Sequence, residues 1–513
     1  MLARVYCAST LGVDARIIEV ETNMSAGMPR YFLVGLPDRA VTESSRRIEA
    51  AVRNSGAEFP FGRVTVNLAP ADLPKEGSAF DLPIAVSLLT VSGQVSSRRL
   101  EDSLIVGELA LDGKLKPVCG VLPIALEARR RGLKNLVVPR DNGYEAAVVE
   151  GLSTWAFDSL EQVMAWLRGE GDFEPVRVDL QEAFREGGSA TVLDFREVRG
   201  QQNVRRALEV AAAGSHNAIL VGPPGSGKTM MVRRLPGILP PLTLEEALET
   251  TKIHSVAGLL PRGDALVTER PFRAPHHSLS DAALVGGGGI PRPGEISMAH
   301  NGVLFLDELP EFRRSALEVL RQPVERGEVR IARARLSVTY PSRIMLVASM
   351  NPSPSGDWYD PANPEGPSPQ EMHRYLGRLS GPLLDRIDLH IEVRKVPFEE
   401  LSSPGASEGS AAIRTRVASA RKRQGRRFES LDGVYANAQM DARTTRTVCR
   451  LGPEGATLLR RAMSVLGLSA RAYDRILKVS RTIADLEGSE SIRTAHVAEA
   501  VQYRSLDREG WLR

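Results

Sequence analysis

Two short stretches of this chain carry residue types that could bind and split a phosphate anhydride. The first consists of Gly222, Pro223, Pro224, Gly225, Ser226, Gly227, Lys228 and Thr229, and it follows the apolar run 218–221. Glycines let backbone N–H groups turn inward around phosphate oxygens, while lysine supplies an ammonium and threonine a hydroxyl. The pattern predicts a nucleotide-phosphate loop, with Lys228 on the β- and γ-phosphates and Thr229 on Mg²⁺.

The second stretch is the apolar run 303–306, which ends in Asp307 and Glu308. A buried strand here would deliver Asp307 beside the Mg²⁺, and Glu308 would polarise the attacking water. A third apolar run, 344–350, ends at Asn351, whose amide could orient that water or contact the γ-phosphate. Together these residues predict hydrolysis of ATP, with Mg²⁺ as the accompanying ion.

Two arginines further along the chain are candidates for contacts with the γ-phosphate. Arg386 is a candidate arginine finger that projects into the site of a neighbouring subunit. A local ion pair with Asp385 or Asp388 is the alternative. Arg471, at the start of a predicted helix, could reach back to the γ-phosphate, although it could also be an ordinary surface arginine.

The scaffold for these residues is predicted to be an α/β multidomain protein. Strands are expected at 15–20, 31–34 and 64–68 and a helix at 42–52, which makes the N-terminal part an α/β domain. Alternating strands and helices around the nucleotide motifs predict a parallel sheet, and the C-terminal part is predicted to be helical. The proposed domains are 1–168, a charged and Gly-rich linker at 169–192, a nucleotide-binding core at 193–395 and a helical domain at 396–513.

Composition and charge limit the classes of function. Of 513 residues, 42% are hydrophobic and 25% are charged, which is typical of a globular protein. No apolar run approaches a membrane span, and the three cysteines are far apart in sequence, so a cytoplasmic protein without a membrane partner is expected. The net charge is +3, yet residues 401–513 hold 20 Lys/Arg against 12 Asp/Glu. That basic part suits a polyanionic partner or a solvated helical surface.

The combination of loop, Asp-Glu strand, Asn351 and Leu-Leu-Asp-Arg resembles AAA+ ATPases. The stretches 270–277, 294–312 and 380–388 are similar to magnesium-chelatase-like AAA+ proteins of the ComM (YifB) type, and the resemblance extends from Arg4 to Tyr503. It implies a P-loop core with a helical C-terminal lid, assembled into a homo-oligomeric ring, expected to be a hexamer.

The same resemblance implies a DNA motor that drives branch migration during natural transformation. Its expected partners are single- and double-stranded DNA, including branched intermediates, and a recombinase. The alternative is an ATPase that remodels a protein partner, as the magnesium-chelatase motor does.

Two segments are candidates for contact with DNA. Residues 329–340 alternate as two strands around a turn that holds Arg333 and Arg335, and related ring helicases carry a pore hairpin at this place. Arginines at a pore tip can follow phosphates without reading bases, and the alternative is a surface hairpin whose arginines stay in solvent. The glycine-rich run 284–290 is expected to be a flexible loop that resembles the second pore insertion of the family, and the alternative is a mobile connection without a ligand.

Two departures from related sequences predict absences. Similar proteins carry Cys-x-Cys pairs after Asn351, whereas this chain has serines and prolines there, so no zinc is expected. The N-terminal domain resembles the Lon proteolytic domain, of the ribosomal S5 domain 2-like fold. Its nucleophile position falls on Ala79, next to Ser78, and its lysine position falls on Leu122. Without a hydroxyl facing an amine, the domain is predicted to be proteolytically inactive.

Overall fold

The structure is a computed structural model in which the chain forms two compact units. Unit 1 comprises Met1–Gly188, Leu244–Thr268 and Ala334–Tyr340, and unit 2 comprises Ser189–Thr243, Glu269–Arg333 and Pro341–Arg513. The described residues are 2–73, 75, 77–186, 193–289, 291–333, 337–358, 366–398, 400, 408–431 and 433–507. None of the helices in those ranges is long and apolar enough to cross a membrane.

The strands in chain order are β1 (Leu2–Leu11), β2 (Asp14–Ser25), β3 (Arg30–Val34), β4 (Arg63–Ala69), β5 (Ser103–Ile105), β6 (Glu108–Leu109), β7 (Leu115–Lys116), β8 (Asn135–Pro139), β9 (Ser153–Phe157), β10 (Ala218–Val221), β11 (Phe272–Arg273), β12 (Gly286–Gly287), β13 (Arg292–Pro293), β14 (Val303–Leu306), β15 (Glu328–Ala332), β16 (Ser337–Pro341), β17 (Met345–Met350) and β18 (Leu389–Glu392).

The helices are α1 (Arg39–Asn54), α2 (Asp81–Val91), α3 (Val121–Arg130), α4 (Gly143–Ala147), α5 (Leu160–Arg168), α6 (Leu180–Glu186), α7 (Gln202–Gly214), α8 (Lys228–Val232), α9 (Leu244–Ala257), α10 (Asp281–Val285), α11 (Glu295–Met298), α12 (Arg314–Val319), α13 (Arg321–Arg326), α14 (Pro369–Leu376), α15 (Gly381–Leu384), α16 (Ser410–Phe428), α17 (Ala442–Val448), α18 (Pro453–Leu466), α19 (Ala470–Leu486) and α20 (Thr494–Gln502). Single 3₁₀ turns cover Ser78–Phe80, Arg140–Asn142, Phe195–Glu197, Leu235–Ile238, Leu309–Glu311, Asn437–Gln439 and Ser505–Asp507.

Unit 1 is built on a seven-stranded sheet of order β3-β4-β2-β1-β5-β8-β9. Strands β1, β2 and β4 pair antiparallel, while β3 joins β4 in parallel and β5, β8 and β9 extend the sheet in parallel. Alternate residues of β1 and β4 are buried and pack with the apolar residues of α1, α2 and α3 in one core. The predicted strands and helix of this part of the chain, and its α/β class, are confirmed.

Unit 2 contains a five-stranded sheet of order β11-β14-β17-β10-β18 in which every pairing is parallel. All residues of β10, β14 and β17 are buried, as expected for a parallel sheet with both faces covered. The predicted parallel sheet is confirmed. Because parallel strands present their carboxyl ends at one edge, the loops that follow β10, β14 and β17 meet there.

The segment predicted to be a linker is partly regular. Val176 pairs with Thr154 of β9 in an isolated bridge, and α6 follows. Residues 187–192 lie outside the described residues. At the other end of the chain α16 to α20 are helices, as the 3.6-residue periodicity predicts. The division into three domains and a linker remains a prediction.

A buried polar cluster in unit 2 anchors the amino end of β10, the strand that leads into the phosphate loop. Asp388 is 4% exposed. It accepts from the Asn217 backbone N–H at 3.1 Å, contacts His216 Nδ1 at 3.3 Å and is paired with Arg475 of α19. Desolvation by itself would raise the pKa of Asp388, but Arg475 and His216 outweigh it and hold that pKa far below its ordinary range.

Replacing Asp388 by Asn should destabilise unit 2 by about 3 kcal/mol, since the partly buried Arg475 would lose the buried carboxylate with which it is paired. Because the folded pKa is depressed, this stabilisation is fully present above the unfolded pKa near 4 and is lost progressively as the pH falls from there through the lower folded pKa. The measurement is thermal unfolding of wild type and Asp388→Asn at pH 7 and pH 3, where the gap should narrow at the lower pH. Asp385→Asn, three residues earlier, is the matched control, and equal effects of both substitutions would contradict this account.

Candidate nucleotide site

The loop between β10 and α8 has the backbone shape that its glycines were expected to provide. Gly225 and Gly227 adopt φ of 73° and 87°, which residues with a Cβ rarely adopt. A side chain on Gly222 would lie 2.1 Å from the Val393 carbonyl oxygen, so only glycine fits where the loop passes β18. Within the described residues the buried Ser226 hydroxyl has no hydrogen-bond partner, which leaves it for a ligand oxygen.

Lys228 is 9% exposed and turns back into the loop that it terminates. Its Nζ donates to the carbonyl oxygens of Gly222 at 2.6 Å and Pro223 at 2.9 Å, and to Asn351 Oδ1 at 3.1 Å. Burial lowers the pKa of Lys228, and the carboxylates of Asp307 and Glu308 oppose that shift. The Asn351 oxygen is thus occupied, and its NH₂ group is the part that can donate to a phosphate oxygen.

Thr229 and Asp307 come together from two neighbouring parts of the sheet edge. The Thr229 hydroxyl donates to Asp307 Oδ2 at 2.8 Å. Two adjacent ligands of an octahedral Mg²⁺, each about 2.1 Å from the metal, are about 3 Å apart, so this pair of oxygens fits the ion that the sequence predicts. Bound there, Mg²⁺ would neutralise charge on the phosphates of the nucleotide.

A residue that the sequence interpretation missed, Ser349, holds both acids in place. Its hydroxyl donates to Asp307 Oδ1 and also accepts the Glu308 backbone N–H at 3.4 Å. Ser349 is fully buried in β17, where its neighbours are apolar. Glu308 has φ of 54°, a left-handed conformation that is uncommon for residues other than glycine and is typical of functional positions. Ser349 could have been noticed in the sequence, because it is a single polar residue within an otherwise apolar predicted strand.

Glu308 and Asn351 line a cavity of about 430 Å³ together with Arg374, Tyr375 and Arg378 of the α14 region. The Tyr375 hydroxyl donates to the Asn351 carbonyl oxygen at 3.0 Å, and Arg378 donates to the Pro310 carbonyl oxygen at 3.1 Å. The lining also contains carboxylates, one of which, Glu311, is paired with Arg378 at 3.1 Å, so charges of both signs face the side of the site where water and the γ-phosphate would meet Glu308. Sequence patterns gave no signal for these residues, because an arginine-bearing exposed helix is ordinary.

A larger cavity of about 1140 Å³ lies past the carboxyl end of β18. It is lined by the segment before and within α7, residues 199–206, and by Glu392 and residues 394–397 after β18. The carbonyl oxygen of Val393 touches the phosphate loop at Gly222, so this cavity adjoins the loop. The sequence interpretation did not identify it.

Comparison with known proteins identifies the family. Models described as "Magnesium chelatase, subunit ChlI", "Subunit ChlI of Mg-chelatase" and "Magnesium chelatase, subunit ChlI C-terminal" match residues 194–401, 20–142 and 407–504. The chain is 45% identical over 511 residues to "Competence protein ComM" of Haemophilus influenzae, which covers 99% of this chain and 98% of that protein. The chain belongs to the magnesium-chelatase-like ComM/YifB family.

One further relative agrees with this assignment, and another is similar to a quarter of the chain. "Uncharacterized protein YifB" of Salmonella typhimurium is 46% identical over 512 residues, 99% of this chain and 98% of that protein. A "Lon protease" of Trichlorobacter lovleyi is 26% identical over 137 residues, 25% of this chain and 16% of that protein. Membership of the ComM/YifB family confirms the resemblance drawn from the motifs and identifies the chain as a magnesium-chelatase-like AAA+ ATPase.

In this ComM/YifB chain the expected arginine finger, Arg386, is 7% exposed and bonded within its own chain. It is paired with Glu325, with Nε and Oε2 3.1 Å apart, and it donates to the Pro382 carbonyl oxygen at 2.6 Å. Arg386 thus forms an ion pair within its own chain, but with Glu325 rather than with the predicted Asp385 or Asp388. Asp388 is paired with Arg475 instead. A role for Arg386 across subunits stays a prediction.

Arg471 is exposed at the start of α19. The hydrogen bond from Arg386 is the main cause that lowers the pKa of Glu325, and the charges of Arg471 and Arg475 add to it. The arginines therefore form a second group around Glu325. Within the described residues no hydrogen bond or ion pair joins Arg386 or Arg471 to the group around Lys228 and Asp307.

Within unit 2, the glycine-rich segment lies beside β15 and Arg333, the first part of the predicted hairpin. A side chain on Gly287 would come within 3.2 Å of Arg333 Nη2, and one on Gly286 within 2.8 Å of Ile331 Cδ1. The expectation of a flexible loop at 284–290 is wrong for Gly286 and Gly287, which pair antiparallel with β13. Strands β15 and β16 form a two-stranded sheet, as predicted. Arg335 lies outside the described residues.

The positions that resemble a Lon catalytic pair hold no such pair. Ala79 lies in the 3₁₀ turn Ser78–Phe80, and Leu122 is fully buried in α3. The neighbouring Ser78 hydroxyl donates to Glu108, a carboxylate, rather than meeting an amine. In the segment where zinc ligands were judged absent, the Ser353 hydroxyl donates to the Asp357 carbonyl oxygen at 2.6 Å. Residues 359–365 of that loop lie outside the described residues.

Proposed function

We propose that this protein is a ring-forming ATP-driven DNA motor that moves branched DNA intermediates during recombination of incoming DNA. The supporting observation is the juxtaposition of Thr229 with Asp307 and of Lys228 with Asn351 at one edge of a parallel sheet. The relative named as a competence protein supplies the setting of natural transformation. A hexameric ring, a recombinase partner and a cytoplasmic location are part of the proposal.

In the proposed reaction each residue has one task. The loop from Gly222 to Thr229 binds the phosphates, and the cavity next to β18 takes the nucleoside. Lys228 exchanges a loop carbonyl for a phosphate oxygen, and Thr229 and Asp307 hold Mg²⁺. Glu308 accepts the proton of the attacking water, whose position is fixed by the Asn351 amide. Arg386 and Arg471 act at the γ-phosphate, Arg386 from a neighbouring subunit.

The DNA part of the proposal is supported by Arg333. It is exposed, it has no carboxylate partner among the described residues, and it lies against Gly287 of the neighbouring β12–β13 pair. A guanidinium beside glycine backbone allows a phosphate to approach closely. We propose that Arg333 and Arg335 line the channel of the ring and follow the phosphates of one DNA strand.

Replacing both arginines by alanine should abolish DNA stimulation of ATP hydrolysis and reduce strand displacement at least about tenfold, since two phosphate contacts are lost. ATP hydrolysis without DNA should stay native. The measurement combines phosphate release with and without DNA and an unwinding assay on forked and three-stranded substrates.

The matched control is Arg443→Ala/Arg446→Ala, a pair on α17 in the same unit. If wild type hydrolyses ATP at a rate that DNA does not change, and the Arg333/Arg335 variant displaces strands normally, the motor is contradicted. The alternative, an ATPase that remodels a protein partner like the magnesium-chelatase motor, then remains.

A further inference from the structure

In the part of the unit 1 sheet formed by β1 to β4, one face is covered by helices and the other is open. In β1, β2 and β4 the residues between the buried ones point to the second face and are exposed or half-buried. In edge strand β3, Arg30, Phe32 and Val34 are exposed on that same face. The open face carries Leu2, Arg4, Tyr6, Glu19, Glu21, Asn23, Ser25, Arg30, Phe32, Val34, Arg63, Thr65 and Asn67.

An aromatic ring and a guanidinium are stacked at the edge of this open face. The Phe32 side chain is 39% exposed, and the guanidinium of Arg63 lies 5.5 Å from the centre of its ring. Arg30 is the cross-strand partner of Arg63, so two positive charges are adjacent. A second ring, Phe61, is 86% exposed two residues before Arg63. Exposed rings grouped with charges mark an interaction site rather than a core.

The charge around these rings is positive. Among the described residues neither Arg30 nor Arg63 has a carboxylate partner. The carboxylates of the open face, Glu19 and Glu21, belong to β2, and Glu21 is already paired with Arg4 at 3.4 Å. A ligand at the β3–β4 edge therefore meets arginines, aromatic rings and neutral polar side chains.

We propose that this face binds single-stranded nucleic acid, with a base stacked on Phe32 and backbone phosphates on Arg30 and Arg63. An open sheet with exposed rings and arginines matches the requirements of single strands, whose unstacked bases need π surfaces and whose phosphates need cations. Thr65 of β4 offers a hydrogen bond to the same strand, whereas the Asn67 amide already donates to Glu21 at 3.0 Å. The inference rests on the proposed function, because it gives the DNA motor a second contact outside its channel.

A protein partner fits this face less well. A stable interface between subunits has an apolar centre from which charged residues are depleted, whereas here arginines separate the rings. The open face therefore suits nucleic acid better than a second copy of the chain, and the test below distinguishes the two.

The test measures binding of the full-length protein to a fluorescein-labelled oligothymidylate of about 30 nucleotides, by anisotropy at several salt concentrations. Phe32→Ala should weaken binding about tenfold and leave the salt dependence unchanged, since it removes a stacked base. Arg63→Glu should weaken binding by a similar factor and reduce the slope of log affinity against log salt by about 0.7 or more. Arg53→Glu, an equal charge change on exposed α1, should have less than a twofold effect.

Photocross-linking locates the bound strand independently of affinity. An oligothymidylate that contains 4-thiothymidine should form adducts in peptides that cover 30–34 and 61–65. Native affinity of both variants with no adduct in these peptides overturns the inference. If the variants bind DNA normally but light scattering gives them a different particle mass, the face contacts a second copy of the chain, and the inference is also overturned. If wild type binds no DNA and DNA leaves its ATP hydrolysis unchanged, the proposed DNA motor fails together with the inference. If wild type binds DNA but the two variants bind it normally without adducts in these peptides, only the inference fails.

Discussion

Glu308→Gln should bind ATP with nearly native affinity and hydrolyse it about 100-fold more slowly or worse. Glutamine keeps the shape of the side chain but cannot accept a proton from water, and general-base catalysis contributes about 10²- to 10⁴-fold. The substitution leaves unchanged the hydrogen bond from the Glu308 backbone N–H to the Ser349 hydroxyl. Fluorescent ATP titration measures affinity, and phosphate release under saturating ATP measures turnover.

The matched control for this variant is Glu429→Gln, the same chemical change at an exposed position after α16. It should bind and hydrolyse ATP at wild-type levels. A Glu308→Gln protein that turns over ATP within threefold of wild type would remove Glu308 from the reaction and point to another base.

Lys228→Ala should lose ATP binding itself, with affinity reduced about 100-fold. A charge-assisted hydrogen bond contributes about 1.5–3 kcal/mol, so losing the ammonium from the phosphates costs one to two powers of ten per contact. The same ammonium bonds the Gly222 and Pro223 carbonyl oxygens, so the loop also loses its internal tie. Titration with fluorescent ATP at constant Mg²⁺ gives the affinity.

Lys422→Ala, on the exposed side of α16, is the control for loss of a lysine. The two nucleotide-site variants discriminate between binding and chemistry: Lys228→Ala loses affinity, and Glu308→Gln keeps it. Equal loss of binding in both would show that the two residues do not divide these tasks.

Local sequence was sufficient for the strands that carry the nucleotide site. Buried apolar runs ending in polar residues predicted β10, β14 and β17, and parallel pairing then brings their carboxyl ends together. Lys228 and Asn351 are 123 positions apart in sequence. Their contact is nevertheless expected, because each follows a strand whose carboxyl end lies at the same edge of the parallel sheet. The roles assigned to these residues remain predictions.

Partners chosen by tertiary packing could not be predicted. Glu325 of α13 pairs with Arg386, which lies 61 residues later and just after α15, and neither segment carries a sequence pattern that predicts the pairing. The excess of Lys and Arg in residues 401–513 suggested a polyanionic partner or a solvated helical surface. Instead Arg423 donates to the Asp485 carbonyl oxygen at 2.9 Å and Arg427 is paired with the Asp485 carboxylate. Net charge therefore overestimated the cations available to a ligand.

The serine hydroxyl in β17 distinguishes two consecutive acids that the chain presents side by side. Both oxygens of Asp307 are bonded to hydroxyl groups, those of Thr229 and Ser349, while the carboxylate of Glu308 accepts no hydrogen bond from the described residues. The two hydroxyl groups hold the Asp307 carboxylate in one position. The oxygens of Glu308 remain able to accept a hydrogen bond from a water molecule that exchanges with solvent. In the proposed reaction, the neighbouring strand would therefore determine which acid holds the metal and which accepts the proton, and a change at that strand would let the two acids compete for one task.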